Sequence, residues 1–216
     1  MLLFISTPLL FAAETPNTQV ILTWHANNFY PADYTGKAHA TPNTPITISA
    51  EALVNNKFVD TASGAFTWYV NDKIKQKNII GLKEFTFTAN GQTGDDIFVR
   101  VTIMLNKTTY IGSLRIPLQP FRVVLDAPFL NTILQKESTV TLRAIPYFFN
   151  ISSLADLIFK WKINDGAREE TKEPALTLKI GTPQTNAQKT LTANIFVQNN
   201  VNLFEFVQDT KNFFIQ

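Results

Sequence analysis

Histidine occurs only twice in this chain, as His25 and His39, and cysteine does not occur at all. The missing cysteine excludes thiolate nucleophiles, cysteine-bound zinc and disulfides together. A zinc site would need further ligands around the histidines. Only Asp33 is near them in sequence, and no metal-ligand spacing is present. No Gly-x-Ser-x-Gly elbow presents a serine nucleophile, and no glycine-rich loop cradles phosphate. Asp95 and Asp96 end the run Asn90-Gly-Gln-Thr-Gly-Asp-Asp. Paired carboxylates with loop carbonyls can hold calcium, but the dense, regular acids of such a site are missing, so a solvated turn is the simpler reading. With eight glycines and few acids, the deep carboxylate cleft of a glycosidase is not expected either. The expectation is a non-enzymatic protein with no cofactor.

Aromatic side chains are the other candidates for function. Residues 24–38 read WHANNFYPADYTGKA, with Pro31 and Gly36 bracketing a turn. Trp24, Phe29, Tyr30 and Tyr34 cluster around it. Exposed aromatics beside amides can bind a glycan or a peptide. The same residues can instead plug one end of a fold, with their hydroxyls bonded to backbone. Because loops carry function more often than strands, this loop is the candidate recognition surface. A second run, Ala144-Ile-Pro-Tyr-Phe-Phe-Asn150, breaks simple alternation at Tyr147, Phe148 and Phe149. Pro146 cannot donate to a ladder, so its strand must end there or lie at an edge. The aromatics then pack between domains or form an exposed patch, and the cost of leaving them in water favours packing.

The elements that position these residues read as strands. Ile46, Ile48, Ala50 and Ala52 alternate with polar neighbours, as do Phe66, Trp68 and Val70, then Phe85 and Phe87, then Ile97, Val99, Val101 and Ile103. After Pro117 and Pro120 the pattern restarts with Val140, Leu142 and Ala144, then Phe159, Trp161 and Ile163, then Leu176 to Ile180, then Leu191 to Val197, and closes on Phe204 and Phe206. Period-two alternation gives each strand one apolar face, as a pair of packed sheets requires. Residues 66–72 read FTWYVND and residues 159–165 read FKWKIND, an offset of 93. That is close to one sandwich domain of about 100 residues, so the repetition means two copies of one domain. The expected fold is all-β: two tandem immunoglobulin-like antiparallel β-sandwich domains, 14–118 and 121–216. Trp68 and Trp161 are the expected core residues, with the two intervening positions of each strand facing solvent and the Asn-Asp pair forming a locally bonded turn.

Charged residues are 17% of the chain, the formal charge is +2, and no basic cluster forms a nucleic-acid footprint. The first thirteen residues, MLLFISTPLLFAA, resemble the apolar region and small-residue end of a signal peptide or N-terminal anchor. No basic residue precedes them, and cleavage after Ala13 would put Phe11 where a small residue is preferred. A buried strand is the alternative reading. An extracytoplasmic location, secreted or at the cell surface, follows from the first, with membrane contact only through this segment.

Trp24-x-Ala26, Pro31-x-x-Tyr34-x-Gly36-Lys37, the two Trp strands and Ala144-x-Pro146-Tyr147-Phe148-Phe149 together resemble uncharacterised secreted proteins of candidate-phyla-radiation (Patescibacteria) bacteria, over residues 20 to 205. The resemblance implies tandem Ig-like or PKD-like domains on an exported bacterial protein and carries no site residues. The Gly-Asp-Gly strand ends of PKD repeats are missing, which favours the Ig-like description. The expected function is a structural or adhesion module that binds other surface or envelope proteins, through edge strands or through the C-terminal strand around Phe213 and Phe214. The alternative is a glycan- or small-ligand-binding module using the Trp24–Tyr34 loop.

Overall fold

Strands form where the sequence alternates, and turns form where Asn, Asp and Gly interrupt it. The computed structural model describes residues 17–127, 132–184 and 189–216. The apolar stretch 1–13 lies outside the described residues. The first unit contains β1 (Thr18–Ala26), β2 (Pro45–Val54), β3 (Lys57–Val59), β4 (Ala65–Val70), β5 (Lys73–Ile80), β6 (Glu84–Thr88), β7 (Asp96–Leu105) and β8 (Thr108–Pro117). In one sheet β2 pairs with β1 on one edge and with β6 and β3 in turn on the other. The facing sheet has the order β5-β4-β7-β8. All these pairings are antiparallel.

The second unit contains β9 (Arg122–Asp126), β10 (Ile133–Leu134), β11 (Ser138–Tyr147), β12 (Leu157–Ile163), β13 (Glu169–Thr171), β14 (Ala175–Ile180), β15 (Thr190–Asn199) and β16 (Phe206–Ile215). Its sheets have the orders β14-β11-β9 and β13-β12-β15-β16-β10. In the first unit the chain lays down β1, β2 and β3 in one sheet, crosses for β4 and β5, returns for β6 and crosses again for β7 and β8. The second unit follows the same path with β9 and β11, β12 and β13, β14, then β15 and β16, except that the short β10 joins the other sheet between β9 and β11. The class is therefore all-β, with two tandem immunoglobulin-like antiparallel sandwiches. One buried apolar cluster runs from Ala26 to Leu118 and the other from Phe121 to Phe213, with Gln119 and Pro120 between them.

The repeated strand sits at the centre of each core. Trp68 and Trp161 are fully buried. Trp68 stacks on Phe85, and its indole N–H donates to the Leu82 carbonyl at 3.0 Å. The indole nitrogen of Trp161 is buried with no acceptor among the described residues. The Asn of the motif does more than turn the chain locally. Asn71 and Asn164 both take φ of 49°. Each donates its backbone N–H across to the neighbouring strand, to Phe98 O and Thr192 O respectively, both at 2.8 Å. Each side-chain oxygen then accepts the N–H of that same residue, at 2.9 Å from Phe98 and 2.7 Å from Thr192. Asn serves here because it tolerates the left-handed region and carries an acceptor that extends the ladder one step past the strand end. Asn164→Gly should cost about 1 kcal/mol for the lost bond. Asn164→Ala should cost about 2 kcal/mol, because the left-handed backbone penalty is added. Urea melts of the two variants would check this order.

Three expectations need correction. Thr67, expected to face solvent, is only 7% exposed. A register shift in β5 around Asn78, at φ 52°, brings that edge strand over it, and Thr67 Oγ1 and Asn78 bond to each other at 3.1 Å. The Asn of each Asn-Asp pair bonds across the sheet rather than locally. Phe204 and Phe206, expected to end the apolar face of the last strand, point outward. On β16 the inward positions are odd-numbered, with Phe213 in the core and Val207 and Ile215 packed against it. The loop before β16 resets the phase that simple alternation would have carried through.

The C-terminal strand is completed within the chain. β16 pairs antiparallel with β15, and Ile133 and Leu134 of β10 add parallel to it at Phe214 and Ile215. Pro146 lies where β11 has β9 on one side and β14 has already ended on the other, so no ladder bond is lost there.

Candidate interaction surface at the domain junction

The loop between β1 and β2 and the aromatic run after β11 meet each other. Phe29 and Phe149 form an isolated antiparallel bridge, with Phe29 N–H donating to Phe149 O at 2.8 Å and Phe148 N–H donating to Phe29 O at 2.6 Å. Phe148 takes φ of 66°, an unfavourable setting for a bulky residue. That kink lets two consecutive rings serve different domains. Phe149 stacks on Phe121 in the second core at 5.1 Å. Phe148 stacks on His39 at 4.7 Å and meets the edge of Tyr34 at 5.6 Å. Packing between the domains, the favoured reading of Tyr147, Phe148 and Phe149, is the arrangement found for Phe148, while Tyr147 contacts Tyr34 at 5.6 Å.

Polar groups stitch the same junction. Thr41 Oγ1 donates to Phe148 O at 2.9 Å, and Thr44 Oγ1 donates to Asn150 Oδ1 at 2.8 Å. One amide hydrogen of Asn150 goes back to Pro42 O at 2.8 Å and the other to Glu205 Oε1 at 2.9 Å. Gln119 N–H, in the link itself, donates to Ala40 O at 2.8 Å. The two units are therefore joined by a bonded interface, not by the linker alone.

Glu205 is the residue on which this arrangement turns. It is 3% exposed, in the loop between β15 and β16. Oε1 accepts from Asn150 Nδ2 and Asn202 Nδ2, both at 2.9 Å. Oε2 accepts from Asn150 N at 3.1 Å and Asn199 Nδ2 at 3.0 Å. Four amide N–H groups thus stand in for a counter-ion, which is how a carboxylate is kept under cover without a cation. With Glu205 turned inward, its neighbours are turned outward. Val201 is 86% exposed and Phe204 89%, and Leu203 and Phe206 are also exposed. Phe204 and Phe206 line a cleft of about 500 Å3 with Pro42, Gly91, Pro120 and Phe121, so the apolar loop overhangs the seam between the units.

Of the residues singled out from sequence, Tyr30 and Tyr34 meet ring to ring at 5.7 Å, and Phe29 and Tyr30 border one cleft. Trp24 is half-buried with the Lys37 ammonium 3.7 Å from its ring centroid, and partial burial lowers the Lys37 pKa from its ordinary value. Phe29 and Tyr34 are occupied at the junction. The Tyr34 hydroxyl donates to Lys37 O at 3.0 Å, and its ring lies over Gly36, where any Cβ would collide with it. Tyr30, 42% exposed, remains open beside His25, Asn27 and Lys37 in a separate cleft. His39 lies against Phe148. The Asp95 carboxylate accepts from Gln92 N–H at 2.7 Å, and Asp96 lies 3.9 Å from Arg115. Among the described residues no group of three or more His, Cys, Asp or Glu is placed to hold a metal. Reading the sequence missed Glu205. Its only signal was a lone acid after the amide-rich run Asn199-Asn200-Val-Asn202.

No family model matches the chain, and no curated protein matches it by sequence. Solved structures that it resembles include the three N-terminal domains of the bacteriophage RB49 outer capsid protein Hoc, at 11% identity and TM-score 0.46, covering 92% of this chain and 59% of that one. The ICAM-5 D1–D4 ectodomain fragment matches at 14% identity and TM-score 0.31, covering 92% and 53%. Murine CEACAM1b matches at 15% identity and TM-score 0.30, covering 91% and 100%. The chain thus spans less than two thirds of the first two. The fold class rests on the strand order of the two units. Among the described residues no helix is long and apolar enough to cross a membrane.

Proposed function

We propose that this chain is a non-enzymatic, extracytoplasmic bacterial surface or envelope protein, a structural or adhesion module that binds another protein through the loop between β15 and β16. The observation that supports this reading is the outward apolar set Val201, Leu203, Phe204 and Phe206 mounted on the buried Glu205. A contiguous exposed apolar cluster is the usual mark of a protein contact. Its stiff mounting reduces the ordering cost that a flexible loop would carry on binding. The bonded junction supports the same reading, because the bonds that join the two sandwiches also hold the loop in place at their seam. The alternative glycan reading of the Trp24–Tyr34 loop has less support, since Phe29 and Tyr34 are spent on the domain contact.

The test is adhesion of the immobilised protein to envelope fractions of its own cells, with Phe204→Ser beside the parent. Loss of an exposed aromatic anchor should weaken adhesion at least about tenfold, with no change in the melting curve. Adhesion equal to the parent's would remove this loop from the contact.

A further inference from the structure

The outer face of the second unit's larger sheet carries a constellation that shares only Phe206 with the protein-binding loop. Strand register builds it in two cross-strand rows. One runs Glu170, Lys160, Phe196, Gln208 across β13, β12, β15 and β16. The next runs Lys162, Asn194, Thr210 across β12, β15 and β16. Strands stand about 4.8 Å apart, so the rows cover roughly the footprint of one or two sugar rings. All of these except Glu170, with Arg168 from the turn after β12, line one depression of about 210 Å3.

Three cations therefore face one shallow cup, and the carboxylates near it are engaged. Glu170 pairs with Lys160 at 3.3 Å. Asp209, on the rim, accepts the N–H groups of Leu125 at 3.3 Å and Thr210 at 2.8 Å. Lys162 and Arg168 have no ion-pair partner among the described residues. The Arg168 guanidinium is 5.9 Å from the Phe196 ring centroid, close enough for its charge to act over the ring. Phe206 stacks beside Phe196 at 5.6 Å and 24°, extending a two-ring ledge. Asn194 accepts from Thr210 Oγ1 at 2.7 Å, which orients its amide and leaves its NH2 without a protein partner among the described residues. Gln208 has no partner there either.

We propose that this face binds a carboxylate-bearing saccharide. Lys162 and Arg168 take the carboxylate, the Phe196 ledge takes the apolar face of a sugar ring, and Asn194 and Gln208 bond to hydroxyls. Cations alone would attract any anion. The aromatic ledge and the free amides are what a sugar uses and a simple anion does not. All the contacting groups except Arg168 stand on paired strands, so the site needs little ordering before binding.

The experiment is calorimetric titration of the full chain with trigalacturonate, trimannuronate and sialyllactose, with maltotriose and inorganic phosphate as the neutral and the plain-anion arms. At least one acidic saccharide should bind, and maltotriose should not. Lys162→Gln with Arg168→Gln should weaken that binding at least tenfold. Phe196→Leu, which leaves the charge unchanged, should weaken it several-fold. Should Phe196→Leu lower the melting temperature, Phe206→Leu makes the same test from the exposed half of the ledge. Absence of binding to all three acidic saccharides overturns the proposal. So does phosphate binding as tightly as the best of them with no effect of either ledge variant. Phe204→Ser should leave this binding intact, so failure here and failure of the β15–β16 loop as a protein contact are read separately.

Discussion

Replacing Glu205 with glutamine should destabilise the protein by about 3 kcal/mol, more than an isosteric change in an exposed loop would. Both carboxylate oxygens accept two N–H groups each. A glutamine must place its NH2 at one of the two positions, and whichever way it turns it faces two donors with a donor. Bonds to a charged acceptor are worth about 1.5–3 kcal/mol each, and the orphaned amides stay covered. The loss should reach beyond the loop. Asn150 carries Thr44 and Pro42 of the first unit as well as Glu205 of the second. Glu205→Gln should therefore speed proteolysis at the Gln119–Pro120 link as well as lower the melting temperature. A variant that melts with the parent would remove Glu205 as the anchor of the junction. Glu205→Ala should be no milder, since it frees the same four donors.

Trp161→Ala should cost about 3–5 kcal/mol, the range for truncating a large buried aromatic. Trp161→Phe separates shape from polarity. The Trp161 indole N–H is buried without an acceptor, while that of Trp68 donates to Leu82 O. Substitution by Phe removes an unsatisfied donor in one domain and a made bond in the other. Trp68→Phe should therefore be the more costly of the two by about 1 kcal/mol. Urea melts of the two Phe variants check the sign, and equal costs would show that packing volume alone decides. Trp161→Ala with an unchanged melt would contradict the core position itself.

The strands were legible because alternation is local. Ile97, Val99, Val101 and Ile103 face one way whatever surrounds them, and the Phe-x-Trp-x-x-Asn-Asp repeat marks the equivalent strand in each unit. The role of the repeated Asn was legible only in half. Its left-handed turn follows from residue type, but the bonds to Phe98 and Thr192 depend on which strand lies alongside. The phase of the last strand is not legible in the sequence, because alternation cannot be carried through a loop. Phe204 and Phe206 look like core residues by type, yet the carboxylate between them has the partners that make its burial tolerable, and the rings do not.

The sequence by itself determined the all-β composition, the doubling of one sandwich pattern and the two tryptophans at its centre, since these depend on period-two spacing and residue size. Only the tertiary structure decided that the Trp24–Tyr34 loop closes on Phe148 and Phe149, more than a hundred residues away in the chain, and that Glu205 turns inward while its apolar neighbours turn out. It also decided that Lys162, Arg168 and Phe196 share one cup. These arrangements join loops and neighbouring strands that have no common period, so nothing in the spacing of residues along the chain encodes them. They follow from which donors and rings meet once the sheets have paired.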